Sequence, residues 1–129
     1  MSFMHTLSII FCAACMIFYF LLSVNASLAR KNSKIALGEK GNENLARAVR
    51  AHGNFAEYTP LFLISFILLE SVQVSKNYLV WVGIFFLLGR ISHAYSMFAK
   101  KGLFRVSGMI LTFVPYLANI ANLLIVYFK

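Results

Sequence analysis

The residues best equipped for chemistry lie in Arg47–Pro60, RAVRAHGNFAEYTP, where two arginines, an asparagine and a glutamate run directly into the apolar stretch Leu61–Leu69. At roughly 100° per residue on a helix, Arg47, Arg50, Asn54, Glu57 and Tyr58 fall within about a third of the circumference. Ionised side chains at membrane depth are costly and ordinarily face a protein interior or a wet cavity. A one-sided stripe of guanidinium, amide, carboxylate and phenol groups therefore reads as a binding face. A second pair, Arg90 and His93, stands three residues apart on one face of a later apolar segment. Left against lipid, Arg90 costs at least about 2.5–3.5 kcal/mol. It needs a carboxylate or a cavity, and Glu57 is the expected partner. Such a pair has two readings of equal standing, a structural pin that fixes helix register and a part of the site.

Arg105 opens the last apolar segment, where by itself it reads as an anchor snorkelling to the interface. Its company adds a second reading. Arg30, Arg50, Arg90 and Arg105 all fall toward one membrane leaflet, against very few acids. Guanidinium groups gathered in a low-dielectric pocket suit an anionic ligand bearing carboxylates. The same field favours a thiolate over a thiol. Cys12 and Cys15 have C-x-x-C spacing inside an apolar segment, where they behave as small hydrophobes rather than as a redox pair. Gly108, Thr112, Asn119 and Asn122 are assigned to helix packing or subunit contact, the commoner use of small and amide residues in membranes. No phosphate-binding loop, zinc-ligand spacing, nucleophile elbow or serine triad is present, and no metal ligand is assigned.

These side chains must be positioned by membrane-spanning helices. The 129 residues are 60% hydrophobic and only 12% charged, too apolar for a soluble domain of this size. Phe3–Val24, Ala56–Val74, Tyr78–Phe98 and Val106–Phe128 each approach the ~20 residues that cross about 30 Å of hydrocarbon. They use up nearly the whole chain, so residues 1–129 are expected to form a single four-helix transmembrane domain. The net charge of +8 is not a nucleic-acid signal, because the basic residues sit where membrane topology places them. Arg30, Lys31, Lys34 and Lys40 lie between spans one and two, and Lys100, Lys101 and Arg105 between spans three and four. The positive-inside rule then makes these two loops cytoplasmic and puts both termini on the other side.

A cleaved signal peptide is the lesser reading of the first span, since a basic n-region is missing and the apolar run is long. Asn25-Ala26-Ser27 is a formal glycosylation sequon on the cytoplasmic side, and is discounted. Arg30–Asn44 reads as a mobile loop, with Asn42 or Asn44 as the N-cap of a helix that begins in water at Glu43. Pro60 frees a backbone carbonyl near Ala56 and invites a kink. Short links after spans two and three force antiparallel neighbours, giving an all-α, up-down four-helix bundle. One such protomer buries little, so it is expected to complete its interior by oligomerising.

The chain resembles the membrane-associated proteins in eicosanoid and glutathione metabolism (MAPEG), a family that includes microsomal glutathione transferases, leukotriene C synthase and microsomal prostaglandin E synthase. Arg50-Ala51-His52-Gly53-Asn54-Phe55-Ala56-Glu57-Tyr58-Thr59-Pro60 is similar to the family's R-A-x-x-N-x-x-E-Y-x-P signature. Gly89-Arg90-Ile91-Ser92-His93 and Phe104-Arg105-Val106-Ser107-Gly108-Met109 extend the likeness, in details closest to the short bacterial branch. The resemblance implies a homotrimer of four-helix protomers with glutathione held between subunits near the cytoplasmic face. It implies that Arg50, Asn54, Glu57 and Tyr58 bind the tripeptide, Glu57 meeting its ammonium and the arginines its carboxylates. Arg90 and His93 would contribute to that pocket, and Arg30 would reach it from a neighbouring chain. Arg105 takes the place of the arginine that stabilises the thiolate. A lipophilic electrophile arriving through the bilayer is the implied second substrate.

There are departures. Met97 stands where the eicosanoid-pathway enzymes carry a tyrosine, and Tyr95 points to the other side of the helix. Val106 follows Arg105 where prostaglandin E synthase has a serine, with Ser107 displaced by one. The expected activity is that of a glutathione transferase or peroxidase in a membrane, most simply a bacterial inner one. The rivals are a non-catalytic glutathione- or anion-binding protein and a small multidrug transporter. The transporter is disfavoured because span one lacks the acid that proton coupling uses.

Overall fold

The computed structural model describes residues 6–128, so the expected start of span one at Phe3 and the terminal Lys129 lie outside the described residues. Four helices follow one another: α1 (Thr6–Ser33), α2 (Glu43–Ser71), α3 (Lys76–Ala99) and α4 (Gly102–Tyr127). They form the antiparallel bundle that the short links demand. The loop of residues 34–42 and the turn at Lys100–Lys101 lie at one end, hereafter the basic end. α1 runs past the expected limit at Val24 because Ala26, Leu28, Ala29 and Arg30 are all good helix formers. That extension puts Arg30 on the last turn of the helix.

Asn42, not Asn44, caps α2, its side chain accepting the Leu45 N–H at 3.0 Å. Next to it the Glu43 carboxylate meets Arg47 at 2.6 Å and Lys100 at 3.2 Å, tying the start of α2 to the turn after α3. Hydrogen bonds from Arg47 and then Lys100 hold the Glu43 carboxyl below the usual carboxylate range. Lys100 itself adopts a left-handed backbone (φ 57°), which closes α3 and lets α4 start after a single further residue. α2 continues through Pro60 and α4 through Pro115 without a break in either helix.

α1, α3 and α4 are each long and apolar enough to cross a membrane. α2 falls short of that mark because Asn54, Glu57 and Glu70 dilute its apolar part. The most apolar windows of α1 and α4 are only 22% and 17% buried in the bundle, against 50% for α3. Ile9, Phe20, Leu117 and Leu124 stand more than half exposed on these outer faces. Surfaces of that kind belong in hydrocarbon, so the protein is an integral membrane protein.

The core is aromatic. Phe62 of α2 stacks on Phe86 of α3 with ring centroids 3.9 Å apart, and Phe11 of α1 stacks on Phe66 of α2 at 4.7 Å. Away from the basic end, the buried Glu70 carboxylate accepts the N–H groups of Leu7 (2.9 Å) and Ser8 (2.8 Å) and the Ser8 hydroxyl. An acid from α2 thereby caps the N-terminus of α1, where the helix dipole favours negative charge. Buried Asn119 on α4 accepts from the Tyr78 hydroxyl (2.8 Å) and donates to Ser65 (2.9 Å), linking α2, α3 and α4.

α3 and α4 touch backbone to backbone. A Cβ on Gly89 would lie 2.9 Å from the Gly108 carbonyl oxygen, and one on Gly108 would lie 2.7 Å from the His93 nitrogen. Only glycine fits that crossing. Gly89→Ala is therefore expected to destabilise the protein by about 1–3 kcal/mol, measured as detergent-solubilised unfolding. Gly53→Ala, also inside a helix but with nothing within 4 Å of the added Cβ, is the control and should leave stability unchanged or raise it by up to about 1 kcal/mol. Equal stability of the two variants would contradict the close crossing.

Candidate functional site

The polar stripe on α2 divides. Asn54 is buried and Tyr58 half-buried, both turned toward α3 and α4, whereas Arg50 and Glu57 stand on the outer face. Arg47 joins neither group, since it bonds Glu43 and reaches the Met97 carbonyl at 3.4 Å. This division follows from helical phase, because Asn54 and Tyr58 lie one step round the circumference from Arg50 and Glu57.

Arg90, only 2% exposed, fills the space between α2, α3 and α4. Its Nε donates to Thr112 Oγ1 at 3.0 Å and its Nη2 donates to the same oxygen. Nη1 donates to the Asn54 side-chain oxygen and, at 3.5 Å, to the Asn54 carbonyl. The guanidinium carbon sits 4.9 Å from the centre of the Tyr58 ring, a cation–π contact. Thr112 completes its own bonding by donating to the Gly108 carbonyl at 2.8 Å.

The expected Arg90–Glu57 pair does not form. Among the described residues Glu57 pairs with Arg50 instead, at 3.3 Å, with both side chains more than half exposed. Arg90 projects from α3 onto the inner face of α2, where an amide and a phenol wait, while Glu57 faces outward. Neutral dipoles and an aromatic face, rather than a carboxylate, hold the buried charge.

The remaining expected site residues divide between the rim and the interior. His93 is 4% exposed at the α3–α4 crossing. It stands one turn after Arg90 on α3, and its backbone nitrogen lies against Gly108 of α4. Arg105 is exposed on the first turn of α4. Arg30 turns away from the others. Its Nη1 donates to the carbonyls of Ala36 (3.2 Å) and Gly38 (3.0 Å), pinning the 34–42 loop of its own chain. His52, inside the signature stretch, faces α1, its ring 4.7 Å from that of Tyr19. Met97 is buried, and Tyr95 is half exposed with its ring edge-on to Phe104 at 5.1 Å.

Two residues with a role here escaped the sequence reading. The sequence gives Thr112 to helix packing or subunit contact, yet it is the main acceptor for Arg90. The available signal was its place one turn after Gly108, on the face that meets α3. Tyr116 one turn further on donates its hydroxyl to the Tyr58 carbonyl, with the rings edge-on at 6.2 Å, and so fixes Tyr58 under Arg90.

Removing the Arg90 side chain strips Asn54 of its donor and opens a cavity. Arg90→Ala is expected to cost about 2–4 kcal/mol, measured by unfolding in detergent. Arg50→Ala and Arg105→Ala, both at exposed positions, should stay within about 0.5 kcal/mol of the parent. Similar losses in all three would contradict the distinction between a buried pin and rim charges.

The chain matches the profile of the MAPEG family over residues 8–125. It is 32% identical over 96 residues to the inner membrane protein YecN of Escherichia coli (strain K12), covering 73% of this chain and 72% of that protein. The YecN protein of Escherichia coli O6:H1 matches to the same extent, 32% over 96 residues. No solved structure matches the chain at a significant level. With a buried arginine pinned between α2 and α4, a signature stretch on α2 and a family match along nearly the whole length, the chain belongs to the MAPEG family of helical membrane proteins.

Proposed function

We propose that the protein is a homotrimeric, membrane-bound glutathione transferase or peroxidase whose residues 1–129 act as one unit. Two loops, 34–42 and Lys100–Lys101, face the cytoplasm by the positive-inside rule, and both termini face the other side. Glutathione is held near the cytoplasmic face. The observation that carries this reading is the exposed Arg50–Glu57 pair on the outer face of α2, toward the basic end where exposed Arg105 opens α4 and Arg90 lies buried in the bundle. A small peptide with two carboxylates, one ammonium and a thiol complements that set. Arg50 and Arg105 take carboxylate and thiolate, Glu57 the ammonium, with Asn54, Tyr58 and His93 shaping the wall. In this reading Arg90 acts by positioning Asn54 and Tyr58 rather than by touching the ligand. Arg30 releases its own loop to reach a neighbouring copy's ligand.

The exposed Arg50–Glu57 pair favours assembly. Two ionised side chains on the outer face of α2, above the outward-facing Leu61, Ile64 and Leu68, are poorly placed against lipid. Covered by further copies of the chain, they line a shared, water-accessible cleft. There the thiol loses its proton, the sulfur attacks an electrophilic carbon of an apolar substrate, and the leaving group departs with the bonding electrons. An arginine beside the sulfur lowers the thiol pKa by about one to three units. A non-catalytic glutathione-binding protein is the second reading. It is favoured by Met97, where the eicosanoid-pathway enzymes carry a tyrosine.

The test is glutathione conjugation of a chlorodinitrobenzene by the detergent-purified protein. Arg105→Ala should lower the rate at neutral pH roughly tenfold or more, because each unit of thiol pKa changes the thiolate fraction about tenfold. The loss should shrink as the pH is raised and the thiolate forms unaided. A rate independent of Arg105 refutes its role, and glutathione binding without turnover establishes the second reading.

A further inference from the structure

At the basic end, the last turns of α1 and the first turn of α2 border a groove of about 510 Å³. Asn25, Asn32 and Ser33 line it from α1, and Asn42 and Asn44 from the start of α2. Two of these polar groups are committed, since Ser33 donates to the Arg30 carbonyl at 3.0 Å and Asn42 caps α2. The exposed amides of Asn25, Asn32 and Asn44 make no side-chain hydrogen bond among the described residues. Each therefore offers a donor and an acceptor to whatever fills the groove. None of the lining residues is acidic or aromatic, and Leu28, Ala29 and Leu45 supply the apolar part of the wall.

The depth of the groove follows from helix length. The 28 residues of α1 make a rod of ~42 Å, of which about 30 Å covers hydrocarbon. Counted from Thr6, the surplus of about 12 Å begins near Asn25 and ends at Ser33, the level of lipid headgroups. Leu21 and Leu28, exposed beside Asn25, suit the acyl chains below. The segment from Arg30 to Asn42 carries Arg30, Lys31, Lys34 and Lys40 against one acid, Glu39. The three lysines are exposed and form no ion pair among the described residues. Lys31 adjoins Asn32 in the chain, and Lys34 follows Ser33.

From this placement we propose that the groove seats the headgroup of an anionic phospholipid ending in neutral hydroxyls, a phosphatidylglycerol of the surrounding membrane. Its hydroxyls exchange hydrogen bonds with the amides, and its phosphate meets Lys31 and Lys34. Its acyl chains run down α1 past Leu28 and Leu21. An ethanolamine or choline headgroup brings an ammonium, for which the groove has neither a carboxylate nor an aromatic face. The site shares no residue with the proposed glutathione pocket, so the two readings fail separately.

Native mass spectrometry of the detergent-purified protein tests this with four lipids of the same acyl chains: phosphatidylglycerol, phosphatidylethanol, phosphatidylethanolamine and phosphatidylcholine. Phosphatidylethanol carries the charge of phosphatidylglycerol without its hydroxyls. Phosphatidylglycerol should be retained at one molecule per chain, roughly fivefold more tightly than phosphatidylethanol, the equivalent of about one hydrogen bond. The other two lipids should bind more weakly still. Asn25→Leu with Asn32→Leu, both at exposed positions, should remove the preference over phosphatidylethanol and keep that over phosphatidylcholine. Lys31→Gln with Lys34→Gln should weaken both anionic lipids. Equal retention of phosphatidylglycerol and phosphatidylethanol by the parent protein, or either double variant binding like the parent, would overturn the proposal. So would soluble glycerol phosphate retained as tightly as the lipid, which would mark a free-anion site.

Discussion

A guanidinium group buried among three helices without a carboxylate constrains everything around it. Moving an ion out of water costs several kcal/mol even after relaxation, and Arg90 recovers that only through fixed neighbours. Thr112 must come from α4 with its hydroxyl oriented by Gly108, Asn54 must come from α2, and the Tyr58 ring must lie beneath the charge. These demands set the spacing of α2, α3 and α4 together. The Gly89–Gly108 crossing is the geometric condition for them, since only backbone-to-backbone contact brings Thr112 close enough to Arg90. An inner ion pair with Glu57 would have satisfied the charge more simply. It would also have consumed the acid that the outer rim offers.

Because Arg90 is satisfied inside, the proposed ligand chemistry falls to the rim. Arg50, Glu57 and Arg105 are solvent- or lipid-facing in one protomer. A protomer built this way has a rigid, neutralised interior and an unfinished charged edge. Its apolar outer faces on α1 and α4 tolerate lipid, but the α2 edge does not. In the proposed assembly α2 makes the contact between copies, and the proposed site forms where one copy's edge meets the next.

The four helices were legible because hydropathy and loop charge act over long windows and survive small errors of phase. The cap of α2 was narrowed to Asn42 or Asn44, and Asn119 to packing or subunit contact, each by a local rule. The partner of Arg90 was not. Choosing between Glu57 and Asn54 turns on less than one helical turn, and the preference for pairing opposite charges pointed the wrong way when amide, hydroxyl and ring acceptors together sufficed. Thr112 and Tyr116 were hidden for a related reason, since their importance depends on which face of α4 meets α3. Glu70 as a cap for α1 was invisible because it joins residues at opposite ends of two helices. The signature Arg50–Pro60 lies on α2, and the structure alone separates its inward residues from its outward ones.

The most direct test of this account is a high-resolution structure of the assembled protein in detergent with glutathione bound. The account predicts the peptide at the boundary between two copies, against Arg50, Glu57 and Arg105, with Arg90 still bonded to Asn54 and Thr112. Glutathione seated directly on the Arg90 guanidinium, with Thr112 and Asn54 released, would contradict it.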